Sequence, residues 1–283
     1  MLPDSYVASE LGAYHATVKT SLKVSERGAE VFTLDVDTEI KLDDAGGYHA
    51  RLQNSADYGR EVYFIDGVLF LRPRYGKFHR RSPTEPAEPK RIRAEMFAGL
   101  AEHWELVAPA MELAGAGESS VAGRPVRTVT MGLDSEHSKT RPVEQHKRSK
   151  WRESITVKAL KGSAALDKQT GVPLSCEVDA TISYTRDDKN YEMSFKLTHT
   201  VRPVTAGKRL AAPHADQTVV ATELAREVDD RSALLEAIAP PSPTVDVPVH
   251  RSLRRRRPGT TSRKDRKKRN EAARKRREAA KSP

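Results

Sequence analysis

The side chains most able to do chemistry are scattered. Nine histidines stand at 15, 49, 79, 103, 137, 146, 199, 214 and 250. No two of them bracket a glutamate at i, i+4, and none has a cysteine beside it, so no zinc motif is present. Cys176 is the single cysteine, which excludes an intramolecular disulfide and any cysteine-cluster metal site. Its place in an alternating apolar run marks it as a small buried hydrophobe. There is no G-x-S-x-G turn to present a nucleophilic serine. Gly115-Ala116-Gly117 lacks the third glycine of a dinucleotide loop, and no phosphate-binding P-loop occurs. Asp35, Asp37 and Glu39 share one side of a strand pattern and read as the solvated face of a sheet. No catalytic residue, metal site or cofactor follows from these patterns.

The strongest chemical signal is cationic. Residues 250–283 hold 16 Lys plus Arg against 3 Asp plus Glu, while residues 1–249 hold 33 against 36. The net charge of +10 is therefore carried by the tail, and the body is mildly acidic. The candidate anion-binding side chains are Arg254, Arg255, Arg256 and Arg257, then Lys267, Lys268 and Arg269, then Arg274, Lys275, Arg276 and Arg277. Such density attracts polyanions by releasing condensed counterions, or an anionic lipid surface. No aromatic residue lies among them, so contact with nucleic acid is expected through phosphate and without sequence specificity. The tail has too little apolar surface to offset its ordering entropy and is expected to be disordered.

The elements that precede it are read from periodicity. Phe32, Leu34, Val36, Thr38, Ile40 and Leu42 alternate with Asp35, Asp37, Glu39 and Lys41, the mark of a strand with one buried and one wet face. Tyr14 to Val24, Tyr48 to Ala56, Leu174 to Thr185 and Tyr191 to Val201 alternate likewise, and Trp151 to Leu166 is read as a further strand. Asp66-Gly67 between Glu61–Ile65 and Val68–Leu71 predicts a two-residue type I′ hairpin turn. Val121 to Val126 reads as a turn, 72–90 as an extended Arg/Pro loop and 134–150 as a polar loop. Ile92, Met96, Leu100, Trp104 and Val107 recur at the helical period, predicting an amphipathic helix near 91–108. A second, polar helix is expected over 217–239, a Pro-rich linker over 240–249 and the tail from 250. No apolar run reaches the length of a membrane span. The opening MLPDSYVASELGAYHA lacks the basic and apolar regions of a signal peptide.

Sequential hairpins make a meander. The expected fold is α+β: a strongly curved antiparallel sheet of eight to ten strands, an incomplete barrel filling residues 1–216, with one or two helices on its concave face. The hairpin YFIDGVLFLR, the short helix stripe and the run GSAALDKQTGVPLSCEVDATISY together resemble the bacterial lipoprotein-carrier superfamily, the LolA/LolB-like half-barrels, over about residues 14–204. Two features depart from that family: the absent signal peptide and lipobox cysteine, which leave the compartment open between periplasm or outer membrane and cytoplasm, and the basic tail. The resemblance implies a binding protein and not an enzyme, with an acyl chain or acylated lipoprotein-like ligand held on the concave face in a cell-envelope setting. Val18, Leu22, Phe32, Leu34, Val36, Trp104, Ile182, Tyr184, Met193 and Phe195 are the candidates to line that pocket. The competing expectation is a cytoplasmic protein that binds nucleic acid phosphate through its tail, with the β domain as scaffold.

Overall fold

The computed structural model describes residues 4–96, 98–204, 207 and 209–221. Its core is one open, curved sheet of twelve strands, two more than the upper expectation. Five strands run as a continuous meander after the first: β1 (Tyr14–Glu26), β2 (Ala29–Leu42), β3 (Tyr48–Asn54), β4 (Gly59–Ile65), β5 (Val68–Pro73) and β6 (Phe78–Arg81). A second meander holds β7 (Met111–Val121), β8 (Arg124–Leu133), β9 (Thr156–Asp167), β10 (Pro173–Arg186) and β11 (Lys189–Pro203). The two join where β1 pairs with β11, from Tyr14 opposite Pro203 to Glu26 opposite Tyr191. The short β12 (Thr218–Val220) lies parallel to β6 at one edge, and β7 forms the other.

Turn chemistry explains why neighbours pair in order. Asp66 and Gly67 have φ of 50° and 77°, as a type I′ turn requires. Arg27-Gly28, Ala122-Gly123 and Asp187-Asp188 also hold positive φ at both positions, so three more hairpins use the same tight geometry. Between β9 and β10 the turn is wider, and Asp167 organises it by accepting the amides of Gln169 and Thr170, both at 2.9 Å.

Three short helices lie against the concave face: α1 (Asp4–Leu11), α2 (Glu88–Glu95) and α3 (Ala98–Val107). The single helix expected near 91–108 is thus two, with the chain turning at Met96. Pro89 near the start of α2 is compatible with a first helical turn, where its missing N–H costs nothing. Two apolar clusters result. Val7 of α1 and Ile92 and Met96 at α2 close over Tyr14, Ile40, Tyr48, Ala50 and Leu71. Leu100, Leu106 and Val107 of α3 close over Leu22, Val178, Ile182, Met193 and Phe195.

Other expectations need amendment. The extended loop over 72–90 contains β6 and the start of α2. Trp151 opens no strand: it sits in a 3-10 turn, Lys150–Ser154, and stacks near Tyr184, with β9 starting at Thr156. The helix expected from residue 217 does not begin there, because Gln217 ends a 3-10 turn and Thr218–Val220 form β12. Residues 222–239, the linker over 240–249 and the basic tail lie outside the described residues.

Candidate functional site

The ten residues expected to line a pocket do share one face and one cluster. Val18, Leu22, Leu34, Ile182, Tyr184, Met193 and Phe195 are buried in it, and Phe32, Val36 and Trp104 pack half-buried at its border. The register explains the gathering: Leu22 stands between Phe195 and Leu34, and Val24 between Met193 and Phe32. His103 of α3 meets the Phe195 ring edge-on at 5.3 Å. Phe195 is 2% exposed, so a charge placed there would enter a packed interior.

A cavity opens over the other cluster. It has a volume of about 660 Å³ and lies between α1, α2 and the β2–β3 turn. Ala8, Leu42, Ala87 and Ala94 supply an apolar lining, and Lys90, Arg91 and Arg93 bring three cations from α2. None of the ten expected residues lines it. That volume falls in the range of small-molecule sites.

Each wall is held by identifiable bonds. Tyr48 donates its hydroxyl to the Pro89 carbonyl at 2.8 Å, and the Arg93 guanidinium lies over the same ring at 5.8 Å, so α2 is fixed against β3. Arg60 reaches Glu95 at 3.5 Å from β4. Arg81 of β6 grips Glu88 at the head of α2 through Nη2–Oε1 at 2.5 Å, and the Thr84 amide donates to the same carboxylate at 2.6 Å. The turn is shaped by Asp43, whose Oδ1 accepts the amides of Ala45 and Gly47 at 3.1 and 2.7 Å. Its other oxygen accepts Leu210 N–H at 3.1 Å, and Asp44 accepts Gly207 N–H at 2.8 Å. Both acidic residues at the cavity are therefore committed to backbone, whereas Lys90 has no ion-pair partner among the described residues. Arg91 is shared with Glu85 at 3.0 Å and Glu95 at 3.7 Å.

On the convex face the acidic stripe is more organised than plain solvation. Glu39 bonds His15 at 2.8 Å and Lys41 at 3.0 Å. Glu61 receives His49 at 2.8 Å and Arg72 at 2.6 Å. Burial pushes the Glu61 carboxyl up, but His49 and Arg72 together outweigh it and hold it at about 2. Asp35 and Asp37 remain exposed. Among the described residues no three His, Cys, Asp or Glu side chains come together as a metal site, and no helix is long and apolar enough to cross a membrane. Cys176 is buried, and burial raises its thiol to about 11, so it is a poor nucleophile at neutral pH.

No family model and no curated protein matches the chain. Among solved structures it is similar to LprF from Mycobacterium bovis, at 13% identity over 68% of this chain and 88% of that one, with a TM-score of 0.25. A LolA superfamily protein from Nitrosomonas europaea matches at 9% identity over 72% and 96% of the two chains, TM-score 0.19. The lipoprotein LppX from Mycobacterium tuberculosis matches at 10% identity over 63% and 84%, TM-score 0.18. Superpositions this loose bring no ligand and no residue role across.

The cavity was not legible in the sequence. Its lining comes from three segments far apart in the chain, and Ala8, Ala87 and Ala94 carry no chemical pattern. The one available signal was the run Lys90, Arg91, Arg93, which falls at the front of the recognised helix stripe. The eleven tail residues from Arg254 to Arg277 lie outside the described residues.

Proposed function

We propose that this chain binds the apolar chain of an amphiphile, a lipid or an acylated ligand, against the concave side of its sheet. The observation that carries the reading is the 660 Å³ cavity between α1 and α2, lined by Ala8, Leu42, Ala87 and Ala94 together with the cations of α2. Apolar lining with a few placed polar groups is the usual composition of a small-molecule site. The cations suit an acidic head group, and Lys90 is available to meet one. Helices of 8, 8 and 10 residues span about 12 to 15 Å each at 1.5 Å per residue. The 13 to 15 residues of β1, β2, β10 and β11 span over about 40 Å. The half-buried Phe32, Val36 and Trp104 at the border of the second cluster fit the same picture, of a concave face wider than its cover. The reading requires no chemistry on the ligand, and the cell-envelope setting implied by the sequence resemblance belongs to it.

The test uses the purified full-length chain and a dansyl-labelled undecanoic acid. Uptake should saturate at micromolar probe, and Ala94→Trp, which fills the cavity from an exposed helix position, should weaken it about tenfold, or 1.4 kcal/mol. Circular dichroism establishes that the variant is folded. A folded wild-type chain with no saturable uptake, or an Ala94→Trp variant that binds as well as the wild type, ends the proposal.

A further inference from the structure

The walls that α1 and α2 give to the cavity are made largely of small residues. Ala87, which caps α2, and Lys90, Arg91 and Ala94 stand at the i, i+3, i+4 and i+7 spacing of one helical face. Across the cavity are Ala8 and Ser9 of α1, then Gly12, whose amide closes the helix on the Ala8 carbonyl at 3.0 Å. Walls this small leave a gap unless the helices close up, and each helix is tied to the sheet separately. Three bonds hold α2: Tyr48 to the Pro89 carbonyl, Arg81 to Glu88 and Arg60 to Glu95. Val7 holds α1, buried in one cluster with Tyr14 and Ile40. The space therefore exists before a ligand arrives, as in most small-molecule sites.

The charges around that space are unequally committed. Asp43 accepts the amides of Ala45, Gly47 and Leu210, and Asp44 accepts that of Gly207. Arg91 stands between Glu85 and Glu95, and Arg93 is buried over the Tyr48 ring. Lys90 is exposed and has no ion-pair partner among the described residues. A lysine in this position packs its stem along apolar surface and keeps its ammonium group for a polar partner. Volume limits what accompanies that charge. At ~30 Å³ for each water-sized group, the 660 Å³ cavity holds about 22 of them. One acyl chain of about 16 to 18 carbons fills it together with a head group, and a second such chain does not fit.

We propose that the cavity takes one single-chain amphiphile with an anionic head, a carboxylate or a phosphate, and that Lys90 selects the charge. This rests on the acyl-binding reading and adds to it the number of chains and the sign of the head group. A hydrogen bond from the ammonium group to an oxyanion is charge-assisted, whereas a hydroxyl head receives only a weaker one. Lysine presents a point charge with three rotatable donors and not a planar fork, so it accepts either oxyanion. A lipid with two long chains would leave one of them in water.

Displacement of the dansyl probe from the full-length chain tests both parts, with each protein's own affinity for the probe taken into account. Dodecanol, sodium laurate and monododecyl phosphate share one chain length and differ in head group. Laurate, monododecyl phosphate or both should bind about tenfold more tightly than dodecanol. Lys90→Gln should bring that ratio to about twofold or less, whereas a general loss of structure would weaken all three together. Preference for laurate alone assigns a carboxylate head, and preference for monododecyl phosphate alone a phosphate. Along the saturated series from octanoate to behenate, affinity should climb by up to about fourfold per methylene and level off near stearate, with one ligand per protein. A dodecanol affinity equal to both anions, or a ratio that Lys90→Gln leaves unchanged, overturns the charge assignment. A climb unbroken to behenate, or two ligands per protein, overturns the single chain. Each of those results leaves acyl binding intact, while a folded chain that takes up neither probe nor competitor removes both.

Discussion

Arg81 and Glu88 meet at 2.5 Å with side chains 1% and 0% exposed, seven residues apart in sequence and joined across the gap between β6 and α2. This pair, with the Tyr48–Pro89 bond, fixes the first turn of α2 and so one wall of the cavity. Arg81→Ala should cost about 3–5 kcal/mol in chemical denaturation, because it strands the Glu88 carboxylate. Replacing both, as Arg81→Met with Glu88→Leu, should cost less than the single change. Burial pushes the Glu88 carboxyl up, and the Arg81 and Thr84 donors outweigh it to leave the group below its ordinary value. The pair's stabilisation is therefore present at neutral pH and is lost as pH falls below the ordinary carboxylate range.

Gly67→Val tests the turn between β4 and β5. A Cβ at Gly67 would touch nothing within 4 Å, yet its φ of 77° is a conformation that a β-branched residue resists. The expected loss is about 1–3 kcal/mol in the denaturation midpoint, from backbone strain alone. An Asn at the same position should cost less, since it tolerates the left-handed region.

Asp167 should govern stability in acid. The Arg124 guanidinium bonds it directly, burial opposes, and the turn amides add to the effect, holding the carboxyl at about 2. A depressed carboxylate contributes stability above its unfolded value of about 3.9 and loses it as pH falls towards 2. That contribution is on the order of 2 kcal/mol. Asp167→Asn should flatten the acid limb of a stability–pH curve between about pH 4 and 2.

Glu102 predicts the opposite slope near neutrality. On α3, burial raises its carboxyl to about 7, Arg152 opposes, and Glu105 adds to the rise. A raised carboxyl means that the folded state binds the proton more tightly, so stability falls as pH climbs from about 4.5 through 7. The group is partly exposed, which limits the effect to on the order of 1 kcal/mol. Wild type should be less stable at pH 8 than at pH 5, and Glu102→Gln should remove most of that difference.

Particular residues show how much was readable. The alternation in β2 and the Asp66-Gly67 turn are local rules, and the sheet obeys them. The break between α2 and α3 was invisible because Ile92, Met96 and Leu100 keep the helical period across it and all are buried, although in two different clusters. Among the described side chains of helix α1 only Val7 is strongly buried, too little to make a stripe. Strand β12 is three residues long, shorter than any alternation can reveal. The candidate pocket residues fall in one cluster, since parity determines which side chains of a strand share a face. Which part of that face stays uncovered depends on where three short helices stop.

The seam between β1 and β11 has a consequence for how the chain reaches its native state. Within each meander strands find their partners through a turn or, between β8 and β9, the loop over 134–155, but Thr17 and Thr200, whose hydroxyls meet at 2.7 Å, are 183 residues apart. All 13 residues of β1 wait for a strand made near the end of the domain. Long-range pairing bears the loop-closure entropy before it gains contacts, which makes such a step slow. Until the seam zips, the nascent chain carries two bare, long strand edges, a form exposed to aggregation. A chain truncated before β11 would keep that first edge permanently open.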